Sequence, residues 1–304
     1  MFFTYADIRQ INMILQIALV FLLVFIMVRS GEGIFVIPFF GMYIFLSPVS
    51  LFSSLQYSPC FYIMMFALIR IFECERKLDD EKRIYLFLLA GILTAYFDLL
   101  TYPLITLAVP LVAYLGSDCE HLLPNPVYAW KNLIVYTISW FIGYAGMWSA
   151  KWAITTILTG ENIIFDALGK IVYRSGYFIE KHSYFDTLEL NLCVCNVRVL
   201  LPALSCVMLY IVFIWTKNHI RVKKERFPIV AMLLFVSMYP LFWYLVTKNH
   251  SCSHSYFTWR ELAISVFGIL MAGVTGIRLP LKICNQEQEK QSGSAINPDE
   301  DKPI

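Results

Sequence analysis

Residues 11–28 read INMILQIALVFLLVFIMV, eighteen consecutive positions without Asp, Glu, Lys or Arg. About 20 apolar residues are long enough to cross roughly 30 Å of hydrocarbon as an α-helix. In lipid such a segment must be helical, because the hydrocarbon offers no partner for backbone amides and carbonyls. This run therefore predicts a transmembrane helix.

Similar apolar runs recur along the chain, in which 59% of the residues are hydrophobic and only 15% are charged. This composition excludes an ordinary soluble globular domain. The predicted spans are residues 11–28, 33–50, 55–72, 84–99, 102–116, 133–150, 200–216, 228–246 and 261–277. We therefore predict an all-α fold, a polytopic transmembrane helix bundle with about nine spans.

The fourth and fifth runs are the shortest, and residues 84–115 carry one charge, that of Asp98. This stretch is too long for one upright helix, so it forms either two spans or a re-entrant hairpin. Both arrangements return the chain to the side it left, so the rest of the predicted topology is the same.

Lys and Arg are concentrated in the loop of residues 216–227, TKNHIRVKKERF, which holds five of them against one acid. Short cytoplasmic loops carry such an excess. We therefore place this loop, residues 73–83, residues 117–132 and the C-terminus in the cytoplasm. The N-terminus, Asp98 and the segment of residues 151–199 then face outside.

The chain divides into two predicted regions. Residues 1–277 form the transmembrane domain, and residues 278–304 form a polar cytoplasmic tail that we predict to be disordered. The start of the chain lacks the basic opening of a signal peptide. A first helix that enters from outside favours the interpretation that an N-terminal portion is missing, and a native outside N-terminus is the alternative.

Polar residues recur at the predicted outer ends of the spans. Asp98 marks either a functional pocket or a cap of the following helix. Lys151 lies among Trp140, Trp148 and Trp152, where it either meets a lipid phosphate or belongs to an ordinary aromatic belt.

Apolar residues recur at helical spacing within the outer segment. They are Ile163, Ile164, Ala167, Leu168, Ile171 and Val172. With Asp166 and Lys170 opposite them, the pattern predicts an extracytoplasmic amphipathic helix on the membrane surface, acting as a lid over a pocket or as a passive float. Arg174, just beyond it, is a candidate contact for an anion.

The stretch of residues 248–261, KNHSCSHSYFTWRE, is a polar motif between two long apolar runs. His250 and His254 are four residues apart, a spacing that puts both on one face of a helix. No third ligand is evident nearby and the Ser-rich run favours a turn, so we predict no metal site. Arg260 either holds a phosphate or carboxylate, or reaches the membrane surface.

Four segments together resemble the polytopic bacterial membrane proteins of the GT-C glycosyltransferase superfamily. They are DIRQIN (7–12), FDLLTYPLITLAVPLV (97–112), WFIGYAGMWSAKW (140–152) and NHSCSHSYFTWRELA (249–263). The resemblance implies an inner-membrane protein that transfers a sugar from a polyprenyl-phosphate donor to a cell-envelope acceptor on the outer face. The chain departs from the family at its start, where a first span and the acidic loop after it are expected.

The resemblance also implies roles for the outer residues. A carboxylate acts as general base on the acceptor hydroxyl, and Asp98 is the candidate for that role or for positioning the acceptor. Cations stabilise the departing lipid phosphate. The candidates are Lys151, Arg174 and Arg260, with His250 and His254 as supporting donors.

The expected partners are a polyprenyl-phosphate-linked sugar and membrane lipid, and the net charge of +2 gives no indication of nucleic-acid binding. The sequence does not identify a cofactor. Two other classes of protein remain open. One is a catalytically inactive remnant or subunit that binds lipid or a membrane partner protein. The other is a lipid-linked glycan flippase or transporter, which is disfavoured because the charges lie at one interface and no paired repeat is evident.

Overall fold

The computed structural model describes residues 4–73, 79–176, 182–194 and 224–277. Within these ranges the chain is helical and contains no β-strand, which confirms the all-α prediction for this part. Five helical segments are long and apolar enough to cross a membrane. They are Tyr5–Arg29, Leu55–Phe72, Pro126–Thr159, Lys224–Val246 and Ser255–Gly276.

Fifteen α-helices occupy the described ranges. They are α1 (Tyr5–Arg29), α2 (Val36–Phe45), α3 (Pro48–Ser53), α4 (Ser58–Phe72), α5 (Asp80–Phe97), α6 (Ile105–Ser117), α7 (Cys119–Leu122), α8 (Pro126–Thr159), α9 (Ile163–Ser175), α10 (Tyr184–Val194), α11 (Phe227–Ser237), α12 (Tyr239–Val246), α13 (Lys248–Ser253), α14 (Ser255–Thr258) and α15 (Ala263–Ile277). Short 3₁₀ turns cover Gly33–Phe35, Leu55–Tyr57, Lys224–Arg226 and Trp259–Leu262.

The predicted count of nine spans is not confirmed. Five of the predicted spans coincide with the five long apolar segments, and residues 200–216 and the tail of residues 278–304 lie outside the described residues. The run of residues 33–50 is divided at Ser47, whose φ of 58° separates α2 from α3. The two shortest runs become α5, with 18 residues, and α6, with 13 residues.

α6 is the central helix of the bundle, and every residue in it except Ser117 is buried. It contacts α4, α11 and α15. A helix that is apolar on every face is stable where other helices surround it. At 1.5 Å per residue α6 is about 20 Å long, less than the thickness of the hydrocarbon. The helix is therefore shielded by its neighbours along its whole length.

α5 and α8 form the most extensive helix contact, and two glycines permit it. A Cβ at Gly91 would lie 2.2 Å from the carbonyl oxygen of Trp140, and a Cβ at Gly143 would lie 2.2 Å from that of Leu88. A Cβ at Gly146, also in α8, would meet nothing within 4 Å. The two backbones therefore touch where both helices lack side chains.

α8 is longer than a membrane span requires. Its 34 residues make it about 51 Å long, compared with about 30 Å of hydrocarbon. Its C-terminal part contacts α9, which also packs on α13. α9 thus contacts both α8 and α13.

Candidate functional site

A cavity of about 570 Å³ lies among α8, α9 and α12. Trp148 and Trp152 of α8 and Trp243 of α12 line it, together with Tyr144 and Leu100. Its walls are therefore mainly apolar and aromatic. A large apolar cavity with a few polar groups is the usual form of a small-molecule site.

The charged groups of the cavity come from α9. Asp166, Lys170 and Arg174 all line it, at intervals of four residues that place them on one face of the helix. No acid in the described ranges forms an ion pair with Lys170 or Arg174. The cavity wall thus presents two cations and one carboxylate.

The helix predicted within residues 151–199 is present as α9, but only some of its apolar residues line the cavity. Asp166 and Lys170 lie on the cavity side, beside the apolar residues that also line it: Ile163, Ala167 and Ile171. Ile164, Leu168 and Val172 lie outside the cavity lining and are 42%, 51% and 36% exposed. α9 therefore presents a mixed face to the cavity and an apolar face elsewhere, and its position on the membrane surface stays a prediction.

The C-terminus of α9 is attached to α13. Asn249 Nδ2 donates a hydrogen bond to the carbonyl oxygen of Tyr173 at 2.9 Å. Gly176, which follows α9, has a φ of 73°, and a Cβ there would lie 2.9 Å from Asn249 Oδ1. Both the backbone conformation and the space require glycine at this position. The polar motif of residues 248–261 therefore supports the helix that carries the charges.

His250 attaches the same motif to the loop after α5. Its Nε2 lies 2.9 Å from the carbonyl oxygen of Leu100, a cavity-lining residue with a φ of 66°. Burial lowers the pKa of His250 to about 4. The imidazole is therefore neutral at neutral pH, and Nε2 donates to the carbonyl. His250 is not among the lining residues, so it positions one of them.

His254 is the second histidine of the motif, and its ring centroid lies 4.7 Å from that of His250. It stacks on Phe257 at a centroid distance of 5.3 Å, and it does not line the cavity. No group of three or more His, Cys, Asp or Glu residues in the described ranges is arranged to hold a metal ion. The two rings are therefore packed against aromatic neighbours.

Asp98 lies in the loop between α5 and α6 and is only 2% exposed. One carboxylate oxygen accepts from the backbone N–H of Thr101 at 2.9 Å, and the other accepts from the Thr101 hydroxyl. This is the turn-stabilising arrangement that Asp favours in loops. Asp98 does not line the cavity, whereas Leu100, two residues later, does.

Lys151 and Arg260 are bonded to groups that do not line the cavity, although Lys151 Nζ also lies 5.0 Å from the ring centroid of Trp148, which does. Lys151 Nζ donates to the carbonyl oxygens of Ala95 at 2.7 Å and Tyr96 at 3.0 Å, which caps the C-terminus of α5. Arg260 is buried, with Nη2 bonded to Ser50 Oγ at 2.8 Å and its guanidinium 4.0 Å from the ring centroid of Tyr57. Neither side chain lines the cavity.

Arg174 is thus the one residue of the predicted set that lines the cavity; the rest of that set, Asp98, Lys151, His250, His254 and Arg260, does not. Lys170 and Asp166 were recognisable from the four-residue interval that they share with Arg174. Trp243 comes from a distant part of the chain, and no local pattern connects it with α9.

Comparisons with protein-family models, with curated proteins and with solved structures found no match to this chain. The interpretation of the cavity therefore rests on its own residues.

Proposed function

We propose that this chain is an integral membrane glycosyltransferase-like protein of the GT-C type. It binds a polyprenyl-phosphate-linked sugar in the cavity and transfers the sugar to a cell-envelope acceptor. One observation carries the proposal: Lys170 and Arg174 lie in the wall of a cavity lined by three tryptophans, beside apolar helices long enough to cross a membrane. A phosphate attached to a long hydrocarbon chain requires this combination of cations and apolar surface.

The two cations have complementary chemistry toward a phosphate. A guanidinium binds phosphate through two parallel N–H bonds, whereas an ammonium acts as a compact point charge. Both lie on α9, whose exposed residues Ile164, Leu168 and Val172 suit the surface of a membrane. We propose that this apolar face rests on the outer surface, so that α9 brings the cations to the depth of a lipid phosphate.

The two carboxylates take different roles in the proposal. In an inverting displacement the acceptor oxygen bonds to the anomeric carbon while the bond from that carbon to the lipid phosphate breaks. A base takes the proton of the acceptor hydroxyl, and cations stabilise the departing phosphate. We assign the base to Asp166, which lines the cavity, and acceptor positioning to Asp98, which holds the loop of Leu100.

The proposed setting is the bacterial inner membrane, with the cavity on the extracytoplasmic face and the C-terminus in the cytoplasm. The excess of Lys and Arg in residues 216–227 supports this orientation.

A binding measurement tests the cavity assignment. The purified chain in lipid nanodiscs is titrated with polyprenyl phosphate, and binding is followed by tryptophan fluorescence. Hydrogen bonds to charged groups contribute about 1.5–3 kcal/mol each. The double variant Lys170→Ala/Arg174→Ala is therefore expected to bind at least about tenfold more weakly. Lys131→Ala, an exposed lysine near the other end of α8, is the matched control. Equal affinities for the native chain and the double variant would contradict the assignment.

A turnover measurement separates the enzyme from its alternative. The native chain is incubated with a radiolabelled polyprenyl-phosphate sugar and isolated cell-envelope acceptor. Transfer of label that depends on Asp166 supports the glycosyltransferase. Binding without transfer would favour the alternative, a membrane subunit that binds lipid without catalysis.

A further inference from the structure

Two buried carboxyl groups lie beside the N-terminal end of α6. Asp98 is 2% exposed, and Glu261, in the last candidate span, is completely buried. Glu261 Oε1 accepts a hydrogen bond from the backbone N–H of Leu104, the residue before α6, at 3.2 Å. Both carboxyl groups are bonded to the same short loop, Asp98 to the backbone N–H of Thr101 and Glu261 to that of Leu104. An ionisable pair buried in this way marks a functional site in a membrane protein.

The two carboxyl groups differ in their hydrogen-bond donors. Asp98 accepts from the backbone N–H and from the hydroxyl of Thr101. Donors of this kind stabilise a negative charge. Glu261 Oε2, in contrast, has no hydrogen-bond partner among the described residues. The pair therefore has one buried carboxylate whose two oxygens each accept a hydrogen bond, and one carboxyl group with an unpartnered oxygen.

No positive group in the described ranges neutralises Glu261. Arg260, its neighbour in sequence, is directed to Ser50 and to the ring of Tyr57 instead. Cys60 of α4, Tyr102 of the Asp98 loop and Tyr144 of α8 are titratable groups that interact with Glu261, and none of these carries positive charge. If Glu261 were ionised beside Asp98, its charge would have one backbone hydrogen bond and no positive group to offset the loss of water.

We propose that Glu261 binds one exchangeable proton beside ionised Asp98, so that the two residues form a buried proton-binding site. A proton taken from water converts the Glu261 carboxylate to the carboxylic acid, and Asp98 keeps the single negative charge of the pair. Leu100, two residues after Asp98, lines the cavity, so the loop that holds the pair borders the cavity. The proposal stands independently of the glycosyltransferase assignment, because it depends only on the buried pair.

Infrared difference spectroscopy tests the site directly. The native chain in lipid nanodiscs is compared with Glu261→Gln, a neutral isostere of the acid, and with Glu161→Gln, an exposed control. We expect the carbonyl band of a protonated carboxylic acid at neutral pH, shifted in D₂O, retained in Glu161→Gln and lost in Glu261→Gln. A native spectrum without this band, or a band that persists in Glu261→Gln, would overturn the proposal.

A second measurement does not depend on a folded variant. The unfolding temperature of the native chain is measured at constant ionic strength while choline is replaced by sodium. A proton site predicts no sodium-specific change. A rise in the unfolding temperature that is specific to sodium would show that a metal cation occupies the pair and would overturn the assignment to a proton.

Discussion

His250 Nε2 lies 2.9 Å from the carbonyl oxygen of Leu100, although 150 positions separate the two residues in the sequence. The contact joins the polar motif of residues 248–261 to the loop of Asp98. Through Asn249 the same motif holds the end of α9, which carries Asp166, Lys170 and Arg174. Two segments singled out by their polarity therefore shape one cavity, mostly without lining it.

We predict that stability falls as the pH falls from about 6.5 to about 4. The pKa of His250 is lowered in the folded chain to about 4, whereas an exposed histidine titrates near 6.5. Above pH 6.5 the neutral imidazole therefore contributes its full stabilisation of the fold. This stabilisation is lost as the pH falls from about 6.5 to about 4, and below about pH 4 it does not change further. The loss from this residue is at most about 3 kcal/mol.

His250→Gln checks this prediction, because glutamine retains an N–H donor and does not titrate. Unfolding of the native chain and of the variant is measured across the window in detergent. The variant is expected to show a flatter dependence on pH. Parallel curves would show that His250 is not the responsible group.

The glycines of the α5–α8 contact give a second prediction. Gly91→Ala or Gly143→Ala introduces a Cβ against a backbone carbonyl that cannot rotate away, so each is expected to destabilise the fold by about 1–3 kcal/mol. Gly146 lies on α8 like Gly143, but a Cβ there would meet nothing within 4 Å. Gly146→Ala is therefore expected to change stability by less than about 1 kcal/mol. Thermal unfolding in detergent distinguishes them. Equal unfolding temperatures for Gly143→Ala and Gly146→Ala would contradict the close approach.

Lys151→Met removes the cap of α5. Because Lys151 Nζ donates to Ala95 and Tyr96, the variant is expected to lose about 1–2 kcal/mol of stability. Its affinity for polyprenyl phosphate is expected to stay unchanged. An unchanged unfolding temperature together with weakened binding would instead make Lys151 a phosphate ligand.

The assignment of the base predicts different effects for the two aspartates. Asp166→Asn is expected to bind polyprenyl phosphate normally and to lower the rate of sugar transfer by about 10²–10⁴-fold, the usual contribution of a general base. Asp98→Asn is expected to reduce transfer less, with its main effect on the KM for the acceptor. If Asp98→Asn abolished transfer while Asp166→Asn kept full activity, the base would be Asp98.

The amino-acid sequence is sufficient to predict a helical membrane protein, because hydropathy is a property of consecutive residues. The run of residues 11–28 becomes α1, and residues 133–150 lie within α8. The same property does not distinguish lipid from protein surroundings. Residues 102–116 read as a span, yet α6 is buried on every side by other helices. The length of a helix and the helices around it decide whether it is exposed to lipid or buried in protein, and hydropathy reports neither.

The candidate site was predictable only in part. Asp98, Lys151 and His250 stand out because they are polar residues in an apolar chain. A single polar side chain can, however, form hydrogen bonds with many different partners, and the sequence does not show which. Lys151 bonds the end of α5, and His250 bonds a backbone carbonyl.

What the sequence by itself determined is the periodicity that puts Asp166, Lys170 and Arg174 on one face of a helix. Only the tertiary structure decided that this face lines a cavity together with Trp148 and Trp243. Trp243 is about 70 positions from Arg174 in the chain, and its place in the same cavity depends on packing, which no local pattern records.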